Sequence, residues 1–458
     1  MKKFLFTVII LSMLLSLGVG GAIAAPTNNV GINVLLTGPL TDALRAELAK
    51  FGPITSEITG LNAVTLRMDL SQLEALKALP FVTAANPDAE RKGIPITEVV
   101  ATDFSSGFST WDLDAINVTD FAATRTVAYD GTGVYVAVLD TGLVDTWRSF
   151  FPADRIAVEY AKSFGGGGGE VGVISEQPNK WEHDQNSHGT HVTSTIFGYQ
   201  FGVNKINGVA PMATIIPVKV LNQNGSGWSS VIAAGISYVA DLKAGPLAGS
   251  PVVINMSLGG SGLDAIEKAA IDYAISKGVL IVASAGNSGT AGMGYPGAYP
   301  PVISVAASGW VGEWKTSVGA WWQGYGVKEP TAAKDYYIAD FSSRQLAGQD
   351  LDVAAPGTWI LGPYKVNSGN LLSYYFLGGT SMASPHVAGI VALMAQKKTN
   401  LTNAEAELVL ERTAISLPAG SRTITGPSGT ETVTWGTDAT GAGLTTADKA
   451  LADKLLSK

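Results

Sequence analysis

The chain of 458 residues contains no cysteine. That excludes disulfides, thiolate metal sites and a thiol nucleophile, so any covalent catalysis falls to another side chain. Charge is sparse: 15% of residues are charged, the net charge is −8, and no Lys/Arg block occurs, so a nucleic-acid surface is not expected. Histidine is scarce, with four residues at positions 183, 188, 191 and 386. Long apolar runs are scarce as well. One of them, Phe4 to Leu17, follows Lys2 and Lys3 and leads into small residues ending at Ala24-Ala25. It is shorter than the ~20 residues a membrane span needs. Residues 1–25 therefore read as a signal peptide, and the protein is expected to be secreted, extracellular and without a membrane anchor.

What is present is apolar bulk and glycine: 46% hydrophobic residues and 54 glycines, enough for a large core with many tight turns. The length implies more than one domain. Residues 26–86 carry their own pattern, with strands at Val30–Thr37, Asn62–Met68 and Phe81–Ala85 and helices at Pro39–Phe51 and after Asp69. This β-α-β-α-β order suggests a small α+β domain of the ferredoxin-like, split-βαβ kind. Residues 87–104, with Pro87, Gly93 and Pro95, read as a linker. From Val134 onward, apolar strands alternate with helices at His188–Phe197, Ser229–Leu242, Leu263–Lys277, Ser381–Gln396 and Asn403–Thr413. The alternation predicts an α/β domain over 105–458, with a mostly parallel sheet and helices on both faces. The pentaglycine Gly165–Gly169 is followed by polar residues rather than a helix, so it reads as a surface loop and not a phosphate cradle. Residues 309–338 hold seven Trp and Tyr residues, which fit either a self-packed insert or an aromatic rim beside a site.

Three stretches carry chemistry. An apolar strand, "VYVAVLD", drives into Asp140; "NSHGTHV" opens a helix with His188; "GGTSMASPHVAG" brings Ser381 to the start of a core helix. Parallel α/β sheets build their sites at the carboxyl ends of strands. A serine hydroxyl is a weak nucleophile that needs a base within hydrogen-bond reach, and histidine is the side chain that titrates nearest neutrality. A carboxylate holding the imidazole by its Nδ1–H completes the set.

In the order Asp, His, Ser, these motifs resemble those of the subtilisin-like serine proteases (subtilases), from about Trp111 to the C-terminus. The resemblance implies an endopeptidase with catalytic Asp140, His188 and Ser381, and with His191 and His386 at structural positions. "VASAGNSG" resembles the family's oxyanion segment, which makes Asn287 a donor to the developing oxyanion. "NGSGWSS" and "NMSLGG" resemble the two edges of the substrate groove, giving Gly225, Gly227, Ser257, Leu258 and Gly259 as contacts. "GMGYPGAYP" resembles the specificity-pocket floor. There Gly294 leaves room for a large apolar or aromatic P1 residue, the one before the cut bond. The family resemblance makes residues 26–86 an inhibitory propeptide, the enzyme an autoprocessed monomeric zymogen, and proteins or peptides its substrates. The activation bond is expected at Phe104–Ser105, with Phe108 second. No cofactor is implied for catalysis. A structural calcium is expected, but "LVDTWRSFF" after Asp140 differs from family members where a calcium-ligating carboxylate often sits, and Lys205 intrudes on the calcium loop, so its ligands stay unassigned. An esterase is disfavoured because no G-x-S-x-G surrounds Ser381, and a binding-only relative because every catalytic position is filled.

Overall fold

The computed structural model describes residues 29–457 except 94, 101–109, 121–123, 166–175, 316–320, 323–326, 328–331 and 365–373. The signal peptide, the Phe104–Ser105 and Phe108 bonds, most of the pentaglycine and Tyr325 lie outside the described residues.

Residues 29–87 fold around their own core. Strand β1 (Asn29–Leu36) is followed by helix α1 (Asp42–Leu48), β2 (Ile54–Ile58), β3 (Ala63–Asp69), α2 (Leu73–Lys77) and β4 (Val82–Pro87). The sheet is antiparallel in the order β2-β3-β1-β4. Ile32, Val34 and Leu36 alternate inward on β1 and pack with Leu48, Leu66, Met68 and Leu76. Thr41 caps α1 by accepting from Leu44 N–H, and Asp69 accepts from Ser71 N–H ahead of α2. The expected order lacked β2, which is short, largely half-buried and apolar only at two isoleucines.

The second domain is built on a sheet whose strands run in the order Lys162–Ser163, Thr214–Lys219, Tyr135–Asp140, Val252–Met256, Val279–Ser284, Ile303–Trp310 and Tyr336–Ile338, with Val353–Pro356 also on Ile303–Trp310. All pair in parallel except Tyr336–Ile338. Both faces are covered, as the continuous apolar runs predict. On strand Tyr135–Asp140, Val136 and Val138 pack with Val192, Val387 and Val391, from helices His188–Phe197 and Thr380–Lys397. Ala137 and Leu139 pack on the other face with Ile232, Ile236 and Ile271, from helices Ser229–Ala244 and Ala265–Ser276. Each such fully buried Val, Leu or Ile side chain contributes about 1.5–3 kcal/mol.

The aromatic insert takes the self-packed form. Trp321, Trp322, Tyr336 and Tyr337 are buried. Trp314 lies 4.8 Å from Trp321, ring centre to ring centre, and both pack on Phe376. The insert thus braces strand Tyr374–Gly378, which delivers the chain to Ser381.

The stretch expected as a linker is strand-paired on both sides of residues 93–96, in two small sheets separate from the main one. Strand β5 (Glu90–Lys92) lies antiparallel to Ser226–Trp228, and β6 (Thr97–Val100) lies antiparallel to Tyr374–Gly378. Backbone pairing of this kind needs no apolar alternation, so Pro, Gly and charged residues concealed it.

Candidate active site

Asp140 ends its strand at the carboxyl edge of the sheet, and Thr141 N–H donates to Asp140 Oδ1 (2.7 Å). His188 opens the next helix, with Nδ1 2.8 Å from Asp140 Oδ1 and 3.0 Å from Oδ2, both side chains buried. The approach to this helix is held by residues that the sequence motifs do not reveal. Asp184 Oδ2 accepts from Thr141 Oγ1 (2.6 Å) and from Ser187 N–H (2.7 Å), and Lys219 Nζ stands 3.9 Å from Asp184 Oδ1. Burial pushes the Asp184 carboxyl up and the Lys219 charge pulls it back. This group ties the turn after Asp140 to the turn before His188.

Ser381 lies in the first turn of helix Thr380–Lys397. Its hydroxyl donates to Ser257 O (3.2 Å), and Ser257 Oγ in turn donates to Ser381 O (2.7 Å). His188 Nε2 is buried without a partner. The other two helical histidines are occupied elsewhere. His191 Nε2 faces Ile360 O at 3.0 Å, and burial holds this ring down to about 3, hence neutral. His386 bridges Met382 O (2.8 Å) and Asp112 Oδ2 (2.9 Å).

Asn287 sits across a cleft of about 430 Å³ that Ser381, Ser284, Gly259 and Gly294 also line. Its Oδ1 accepts from both Thr380 N–H and Thr380 Oγ1 at 2.9 Å. With the oxygen so engaged, the amide N–H₂ is the group Asn287 is left to offer. Gly294 adds no side chain where Gly260 N is 3.4 Å from its missing Cβ.

The groove residues meet β5. Lys92 exchanges two backbone hydrogen bonds with Gly259, each 3.0 Å, and Gly93 N–H donates to Gly225 O (2.8 Å). Gly227 pairs with Arg91. A Cβ on Gly227 would meet Val220 O at 2.4 Å, so only glycine fits the bend there. Leu258 is buried between these contacts. Gly93 reaches the Asp–His–Ser neighbourhood: a Cβ built on it would stand 3.3 Å from His188 Cε1 and 2.9 Å from Ser257 O. The chain's own residues 90–93 therefore lie where the sequence placed a substrate.

A second cluster lies away from this cleft. Ligand atoms of Asp350, Asp352 and Glu407 fall within 4.8 Å of one another. Asp352 Oδ1 is buried without a hydrogen-bond partner. Burial pushes Asp352 up to about 8 and Glu407 to about 7, with the neighbouring carboxylates adding to the shift. Lys205 lies in the small hairpin Gly198–Phe201/Asn204–Asn207, and the cluster does not involve it. Among the described residues no helix is long and apolar enough to cross a membrane.

Known proteins share this architecture. The family model described as "Subtilase family" matches residues 131–448. A thermostable alkaline protease of Halalkalibacterium halodurans is 31% identical over 368 residues, covering 80% of this chain and 82% of that protein. Subtilisin E of Bacillus subtilis is 31% identical over 372 residues, covering 80% and 79%. Among solved structures, the S41 psychrophilic protease aligns with a TM-score of 0.55 at 29% identity, over 74% of this chain and 99% of that one. Fervidolysin from Fervidobacterium pennivorans, titled a keratinolytic enzyme related to subtilisin, aligns with a TM-score of 0.65 at 25% identity, over 93% and 61%. With the sheet, the cleft and these likenesses in agreement, the chain belongs to the subtilase family of serine endopeptidases.

Proposed function

We propose that the chain is a secreted endopeptidase, made as a zymogen, that cuts proteins through Asp140, His188 and Ser381. The observation that carries the reading is the buried Asp140–His188 pair at the carboxyl edge of the sheet, with Ser381 heading a helix at the same cleft. Asp140 holds the imidazole by Nδ1, which leaves Nε2 to take the proton of Ser381 once the hydroxyl turns away from Ser257 O. The oxygen attacks the substrate carbonyl, and the oxyanion accepts from the Asn287 amide and the Ser381 backbone N–H. Collapse to the acyl-enzyme expels the amine with the proton from His188, and water then releases the acid by the same route. The substrate backbone lies as an added strand between Gly225–Gly227 and Ser257–Gly259, with a large apolar P1 side chain in the cleft beside Gly294. No cofactor enters the chemistry. Asp350, Asp352 and Glu407 offer the hard oxygen ligands that calcium prefers, and a bound cation there would answer the unpaired Asp352 Oδ1.

Residues 26–86 act as the inhibitor, and the chain processes itself. The Phe104–Ser105 bond supplies the apolar P1 residue; the pairing of β5 and β6 on either side of the cleft favours a cut in the stretch between 93 and 97 instead. N-terminal sequencing of the active form separates them, reading SSGFS for the first and a start within residues 94–97 for the second. The test of the function is Ser381→Ala in the full chain. Azocasein hydrolysis, fluorophosphonate labelling and self-processing should all disappear, and a variant that still processes itself would remove Ser381 from the role of nucleophile.

A further inference from the structure

Arg91 is a linker residue by sequence, yet its side chain is wholly buried, and so is that of Glu267 on helix Ala265–Ser276. Arg91 Nε is 3.0 Å from Glu267 Oε1 and its Nη2 is 2.5 Å from Oε2, a two-pronged contact suited to a guanidinium rather than an ammonium. The remaining nitrogen, Nη1, donates to Glu90 O (3.1 Å), and Nη2 donates to Gly262 O as well (3.2 Å). Room for the fork comes from Gly260, whose missing Cβ would stand 3.0 Å from Arg91 Nη1.

The place of Arg91 along the groove gives this contact a meaning for substrates. Gly93 lies against His188, and the cleft at Ser381 opens immediately beyond it, so a chain bound like β5 has its second residue before the cut bond at Gly93. Lys92 is then the third and Arg91 the fourth, P4. The residues that grip β5 here, Gly225 to Trp228 and Gly259, belong to the catalytic domain and stay when the N-terminal domain leaves. Glu267 stays as well, with Asp264 at the cap of the same helix. Arg91 is the ion-pair partner of Glu267 among the described residues. Its departure leaves the Glu267 carboxylate without its cation in a groove that accepts extended peptides, where a guanidinium presented by a substrate replaces the one lost.

We propose that Glu267 makes the P4 subsite selective for arginine, with Arg91 as the built-in occupant that shows the binding mode. The inference rests on the protease reading above and adds a specificity determinant to it. Large apolar selection at P1 and guanidinium selection at P4 act on different side chains of the same strand.

The test uses the active enzyme purified after expression of the full chain. A set of fluorogenic peptides holds every position constant except the fourth before the cut, which is Arg, Lys, Leu, Ala or Glu. Arg is expected to exceed Ala in kcat/KM by about tenfold or more, with Lys between them, because a site built to hydrogen-bond a group discriminates against its absence. In Glu267→Gln the Arg-to-Ala ratio should fall close to one, since the amide keeps the shape and loses the charge. Azocasein digestion with equal rates for Arg and Ala peptides in the unmutated enzyme would overturn this inference and leave the protease reading standing. An Arg preference that survives Glu267→Gln would also overturn it. If neither azocasein nor any of the peptides is cut, the protease reading fails, and the subsite assignment with it.

Discussion

Thr380 precedes the serine, and it also fixes Asn287. Its N–H and hydroxyl both engage Asn287 Oδ1, and its Oγ1 accepts from Gly286 N–H (3.1 Å), so one side chain locks the orientation of the amide facing Ser381. Two residue-scale outcomes follow. Asn287→Ala should lower kcat by about 10²–10³ with KM little altered, the magnitude that loss of the same donor has in a subtilisin. Thr380→Val keeps the shape and removes one of the two tethers. It should cost about tenfold in kcat, because a donor that wanders loses part of its pre-organisation. Steady-state kinetics on one peptide checks both; a Thr380→Val enzyme with unchanged kcat would show that the backbone N–H alone holds the amide. At this scale the sequence motifs name Asp140, His188, Ser381 and Asn287, and the structure puts Asp140 in contact with His188 and sets Ser381 and Asn287 on one cleft. The sequence was silent on Arg91 and Asp184, whose side-chain partners Glu267, Thr141 and Lys219 lie far along the chain. Glu267 did leave a trace: it falls on the same helical stripe as Ile266, Ala270, Ile271 and Ala274, all buried, where a carboxylate is out of place without a partner.

Helix Asn403–Thr413 and the turn ahead of strand Val353–Pro356 meet at the carboxylates of Asp350, Asp352 and Glu407, with the also-raised Glu411 close by. Asp352 and Glu407 lie above the ordinary carboxylate range in the folded state, at about 8 and about 7, and burial is the main cause. The folded chain thus binds protons that the unfolded chain has released, so stability should fall as pH rises from about 4 to about 8. A calcium ion bound there would supply the missing positive charge in that window. Thermal melts in EDTA are expected to show a Tm that drops across this range, and melts in millimolar calcium a drop that is reduced or abolished. Identical curves with and without calcium would remove the cluster as its site. Elements were the most legible level of the sequence: helices His188–Phe197 and Asn403–Thr413 and strands Val252–Met256 and Val279–Ser284 lie where the apolar pattern puts them. The elements that escaped are paired through backbone or half-exposed. These are β2, β5, β6 and the C-terminal hairpin Gly420–Gly426/Gly429–Trp435, whose outward residues carry little apolar signal.

Across the whole molecule, residues 86–88 add hydrogen bonds at the starts of two helices of the catalytic domain. Asp88 Oδ1 accepts from Ser230 N–H (3.0 Å) at the start of helix Ser229–Ala244, and Asn86 Oδ1 accepts from Ala265 N–H (3.1 Å) at the start of Ala265–Ser276. Asn33 on β1 joins both sides, donating to Asp88 Oδ1 (3.0 Å) and Asp264 Oδ2 (2.9 Å). The parallel sheet those helices cover joins strands distant in sequence, a topology that folds slowly. A chain lacking residues 29–93 is therefore expected to regain little activity after dilution from denaturant, and the full chain much more; equal recovery would show that the caps do not assist folding. One further consequence comes from β5 and β6, which hold the chain on either side of Ser381. A cut between 93 and 97 leaves the new amine tethered beside the acyl-enzyme, at an effective concentration far above that of any free peptide. Resealing then competes with hydrolysis. If the chain is cut there, the bond would open and close before anything is released, and the moment of activation would be set by how fast the four-residue strand β6 peels off its neighbour, not by how fast the serine reacts.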